Sequence, residues 1–143
     1  MSMKKSASAV WQGSLKEGRG QVSTESGALK EVSYNFGQRF EGKPGSNPEE
    51  LVGAAHASCY SMALSMIMGE AGLEPEKIET EATVTLSQDD GGFSISAVHL
   101  KTRVRSPGAD QAAFQEAADK AKVGCPVSKL LNAEITLDAK LEN

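Results

Sequence analysis

Cysteine is scarce in this sequence, with Cys59 and Cys125 the only two in 143 residues. Two do not make the disulfide framework of a small secreted scaffold, so they read first as packed core residues or as a reactive pair. Histidine is equally rare. His56 and His99 together with the two cysteines give no zinc spacing, and neither a metal nor an organic cofactor is expected. An excess of positive charge is missing too: 15 Lys and Arg stand against 19 Asp and Glu, for a net charge of −4, with the signs mixed along the chain. No basic stripe is left to follow a phosphate backbone, which excludes nucleic acid as a partner. The start, MSMKKSASAVWQG, has two lysines but no apolar segment after them, so no signal peptide is read and a cytoplasmic location, where thiols stay reduced, is expected. Nor is there an uncharged apolar run of about 20 residues that would span a membrane. Repeats and low-complexity tracts are absent.

What the sequence does have is one long apolar-rich stretch, residues 47–72, NPEELVGAAHASCYSMALSMIMGEAG. Asn47 is a good N-cap, Pro48 suits the first helical position, and Glu50 completes a capping box. Gly72 is placed to stop the helix in a left-handed conformation. Apolar side chains fall on nearly every face, so the helix calls for burial all round. One chain of this length with six strands can hardly provide that cover, and a homodimer burying the helix between protomers is the expected remedy.

The chain suits a single domain over 1–143, with residues 1–6 a frayed end. SASAVWQGS and GQVSTE read as a hairpin, and VSYNFGQRFEG as a third strand in which Val32, Tyr34 and Phe36 alternate and Arg39 lies near the end. After the helix, IETEATVTLSQ and FSISAVHLKTRVR form a second hairpin, and a change of parity near Ala97 and Val98 implies a bulge. Asp110 caps a helix ending at Gly124, Pro126 opens a short one, and AEITLDAKLE closes the chain as a strand. The order βββαββααβ gives an α+β fold with mainly antiparallel sheet.

Cys125 sits just before the first residue of a helix, where unpaired N–H groups and the dipole favour thiolate, although packing as a small hydrophobe accounts for that position equally well. Cys59 lies in mid-helix among apolar neighbours. Burial should raise its pKa and leave it inert unless a cation is close.

The blocks NPEELVGAAHASCYSMAL and GCPVS, the strands around them and the whole length of the chain resemble the OsmC branch of the OsmC/Ohr family, the osmotically inducible and organic hydroperoxide resistance proteins. The resemblance implies a thiol-dependent peroxidase acting on hydroperoxides, organic ones especially, in an intertwined homodimer with its active sites at the subunit interface. It makes Cys59 the peroxidatic cysteine and Cys125 the resolving one that closes a disulfide with it, and it places the active-site acid at Glu49. An external dithiol then reduces the disulfide. Two arginines compete for the activating role. Arg39 is preferred because it stands among Tyr34, Phe36 and Phe40, whereas Arg19 in GRG belongs to a charged turn expected to be solvated. Tyr34, Phe36, Phe40 and Met62 are the expected walls of a substrate pocket.

Glu49 and Cys59 are ten residues apart, about 15 Å along one straight helix. Either the helix kinks near Gly53 or Glu49 serves the Cys59 of the partner protomer, and the second is expected. His56, one turn before Cys59, is expected to be packed or hydrogen-bonded rather than a catalytic base, and His99 to be structural. Two other readings use the same residues: a non-catalytic dimeric module binding a small hydrophobe, and a redox sensor built on the cysteine pair.

Overall fold

The structure, a computed structural model, describes residues 1–142 as two compact units, Met1–Leu51 and the chain from Val52 on. The first unit is a three-stranded antiparallel sheet of β1 (Ala7–Gln12), β2 (Arg19–Thr24) and β3 (Val32–Tyr34), followed by a short helix, α1 (Phe36–Phe40). Here the expected third strand is corrected. It stops at Tyr34, because the Asn35 side chain accepts a hydrogen bond from the Gln38 N–H at 2.8 Å and starts a helix, so Phe36 and Arg39 are helical. The alternation of Val32, Tyr34 and Phe36 runs past the end of the strand. Among the described residues of this unit only Gly20 and Gly37 are buried.

The long helix α2 (Pro48–Glu70) begins in the first unit and is unbroken through Gly53. Its start is the expected box: the Asn47 side-chain oxygen Oδ1 accepts from the Glu50 N–H at 2.8 Å, and the Asn47 side-chain Nδ2 donates to the Glu50 carboxylate. At its end Gly72 takes φ +75° and the Leu73 N–H returns to the Met68 carbonyl, a Schellman closure.

In the second unit β4 (Lys77–Asp89) and β5 (Gly92–Arg105) form an antiparallel hairpin, and β6 (Glu134–Leu141) pairs with β5 in parallel after a crossover through α3 (Gln111–Gly124) and α4 (Pro126–Leu130). The bulge falls where the parity changed. Thr85 faces Ala97 and Leu86 faces Ile95, leaving Ser96 as the extra residue. The core gathers Tyr60, Leu64 and Met68 of α2, Val98, Leu100 and Val104 of β5, and Phe114, Ala117, Ala118 and Ala121 of α3. Hydroxyl groups fasten helix to sheet, with Ser61 donating to Thr80 at 2.8 Å and Thr80 pairing with Thr102 at 2.9 Å.

Only one stripe of α2 is covered within the chain: Gly53, His56, Tyr60, Leu64 and Met68. Met62 and Met66 on another face are 78% and 61% exposed. By length and mean hydropathy α2 is the one helix among the described residues that could cross a membrane, but its buried stripe belongs to the core of the second unit.

Candidate active site

The sequence-predicted residues form two groups, one in each unit. In the first, the Arg39 guanidinium grips the Glu49 carboxylate as a fork, with Nε 3.1 and 3.2 Å from the two oxygens and a terminal nitrogen 2.7 Å from one of them. Glu49 lies in the first turn of α2, where the helix dipole favours a carboxylate, and its side chain is 12% exposed. Arg39 comes from α1, which also stacks its guanidinium 5.3 Å from the Phe40 ring centre, while Phe36 and Phe40 lie 4.9 Å apart. A planar cation held flat by an acid on one side and a ring on the other is pre-set to receive an anion or a polar oxygen.

Beside Arg39 is a cavity of about 280 Å³, lined by Trp11, Leu15, Tyr34, Asn35, Phe36, Arg39 and Phe40. Tyr34, Phe36 and Phe40 thus share one cavity. Met62 is not among its lining residues. Trp11 and Leu15 are pocket residues that sequence reasoning missed. The signal was in the register: Trp11 faces Gly20, and Gly20 faces Tyr34, so the two rings flank a residue with no side chain, their centres 5.5 Å apart. A Cβ on Gly20 would come within 2.5 Å of Tyr34 and 2.8 Å of Trp11, so only glycine allows the pair. Arg19, at the start of β2, is exposed and lines a different cavity with Val10, Gln12, Gly20, Gln21 and Ser33.

In the second unit Cys59 and Cys125 come together as free thiols. Pro126 arranges this. The residue before a proline is held extended, and Cys125, at φ −58° and ψ 125°, both ends α3 and precedes α4. Its thiol is fully buried beneath the half-buried Cys59 and within hydrogen-bonding reach of it, and the backbone N–H of Val127 also points to the Cys59 sulfur. Burial pushes the Cys59 thiol above its ordinary pKa and the Cys125 thiol adds to the rise, while the Val127 N–H opposes it. Among the described residues no cation acts on Cys59.

His56 is fully buried, with Nε2 2.7 Å from the Ser128 hydroxyl, and burial lowers its pKa. His99 faces outward and pairs with Thr136 at 2.6 Å. No group of metal-binding side chains occurs among the described residues.

Residues 40–140 match the family described as OsmC-like protein. Over its full length the chain is 52% identical to peroxiredoxin OsmC of Escherichia coli strain K12, covering all of that protein. It is 30% identical to the organic hydroperoxide resistance protein OhrB of Bacillus subtilis over 86% of this chain and 88% of that one. The crystal structure of that OhrB superposes with a TM-score of 0.70 over 94% of this chain and 98% of its own, and an OsmC-like protein from Mycoplasma pneumoniae, at 17% identity, shares the fold with a TM-score of 0.78 over the whole of both chains. The chain belongs to the OsmC family.

Proposed function

We propose that this chain is a thiol-dependent peroxidase that reduces organic hydroperoxides, and hydrogen peroxide less selectively, to alcohols or water. The reading is supported by relatives named peroxiredoxin and organic hydroperoxide resistance protein. The single observation behind its chemistry is the reach between the two free thiols. The Cys59 thiolate attacks the distal peroxide oxygen, the O–O bond breaks, and the alkoxide leaves with a proton as alcohol, giving the Cys59 sulfenic acid. The Cys125 sulfur then attacks the sulfenic sulfur, water leaves, and a disulfide joins the two. An external dithiol restores both thiols at the expense of its own oxidation. This chemistry calls for no metal and no organic cofactor.

The cation that this scheme needs at Cys59 is Arg39, steered by Glu49, and the cavity next to it takes the alkyl or aryl group of the substrate. Because α2 is unbroken between Glu49 and Cys59, about 15 Å of helical rise separates them, so Arg39 and Glu49 serve the cysteine of the partner protomer. A homodimer is supported further by the nearly coreless first unit and by the open Met62 and Met66 face of α2. We place the protein in the cytoplasm as a soluble dimer, a compartment in which the two thiols are kept reduced between turnovers.

Peroxide consumption in the presence of a dithiol, measured with an organic hydroperoxide and with hydrogen peroxide, tests the reading. The wild type should consume the organic substrate faster, Cys59→Ser should be inactive, and Cys125→Ser should not sustain turnover. No consumption by the wild type would overturn it in favour of a binding module or sensor.

A further inference from the structure

Sulfenic acid formation on Cys59 is useful only if Cys125 stays in place to resolve it, and the segment that holds Cys125 has little to hold it. The helix α4 is five residues long, with no buried residue of its own, and too short to be stable alone. Val127 and Leu131 contribute partial apolar burial. The polar tie is the 2.7 Å contact between His56 Nε2 and the Ser128 hydroxyl, which joins α2 one turn before Cys59 to α4 three residues after Cys125. The same two segments meet a second time where the Val127 N–H and the Cys125 thiol approach the Cys59 sulfur.

We propose that His56 is a positioning residue for the resolving step, acting through Ser128 to keep the segment 125–130 docked on α2 while Cys59 is oxidised; this rests on the peroxidase reading above. The imidazole is suited to the task because it transfers no proton. It is fully enclosed, one nitrogen is committed to Ser128, and the other, Nδ1, is buried with no partner among the described residues. An unpartnered buried nitrogen is costly, so packing alone would be better served by an apolar side chain. What the imidazole adds is a rigid reach to the α4 hydroxyl. With the tie in place the Cys125 sulfur attacks the Cys59 sulfenic sulfur, the S–O bond breaks, and hydroxide leaves with the Cys125 proton as water. Without it, the sulfenic acid persists and meets a second peroxide, which transfers an oxygen atom to give sulfinic acid and a second alcohol.

Single-turnover kinetics on the full-length protein separate the two steps. One arm follows loss of the Cys59 thiol with an organic hydroperoxide at a pH where that thiol is fully ionised. The other follows disulfide formation, with sulfinic acid at Cys59 read by mass. Ser128→Ala removes one oxygen from a half-buried site and should slow disulfide formation about fivefold to tenfold, the worth of one hydrogen bond, and raise the sulfinic fraction, while the first step changes less than about twofold. His56→Gln, whose amide can still donate to Ser128, and Ser128→Thr, which keeps the hydroxyl, should recover most of the resolving rate. Equal slowing of both steps in Ser128→Ala, or resolution at the wild-type rate, would overturn the inference while leaving the peroxidase reading intact. A wild type with neither step would overturn both.

Discussion

At Cys59 two opposing influences meet. Burial makes the thiolate costly, and among the described residues the favourable contribution from its own unit is one backbone N–H, that of Val127. A buried sulfur in that position becomes a nucleophile near neutral pH only if a cation is brought to it, which is the task we assign to the partner's copy of Arg39. The thiolate is the reactive form, so a raised pKa means that reactivity grows as pH rises, and a nearby guanidinium moves that growth to lower pH. Arg39→Gln should therefore shift the midpoint of the pH profile for Cys59 alkylation upward and slow the reaction at least about tenfold at pH 7, with the gap narrowing in alkali. An unshifted profile would mean that the guanidinium does not reach the sulfur. Cys125→Ser should react with one equivalent of hydroperoxide and then over-oxidise, visible as sulfinic acid at Cys59 by mass. A Cys59 left unmodified after excess peroxide would contradict this assignment.

At the scale of elements, the features legible in the sequence were those set by neighbours along the chain: the Asn47 box, the Gly72 stop, the proline that opens α4, and the parity change that marks the Ser96 bulge. Of the fork, Glu49 was legible through the family motif and Arg39 through the aromatic residues around it, and the structure joins the two. The features missed depend on partners distant in sequence or on one residue outweighing a pattern. Asn35 ends β3 against the alternation that argued for a longer strand. Trp11 joins the pocket because three strands align Trp11, Gly20 and Tyr34 in one row, an alignment that no local period reveals, and Leu15 joins it from the turn between β1 and β2. That row gives a test of the pocket. Gly20→Ala must push the rings apart, so KM for a bulky aryl hydroperoxide should rise severalfold while consumption of hydrogen peroxide, which has no group to house, changes little. Equal effects on both substrates would remove the cavity from the substrate path.

At the scale of the whole molecule, the proposed exchange of Arg39 and Glu49 between protomers makes each active site a shared property. An inactive protein, Cys59→Ser, and an impaired one, Arg39→Gln, should then complement each other at pH 7. A mixed dimer in the crossed arrangement holds one intact site, with Cys59 from one chain and Arg39 from the other, whereas an arrangement within one chain yields two damaged sites. Recovery of peroxide consumption after the two variants are unfolded and refolded together, and its absence when each is refolded alone, would establish the crossed arrangement; no recovery would refute it. The cavity next to Arg39 brings one more consequence. The tryptophan in its wall is the only one in the chain, so the protein's intrinsic emission comes from that spot, and quenching or a colour shift on adding a non-reactive alcohol product would report occupancy of the pocket directly, without a label and without turnover.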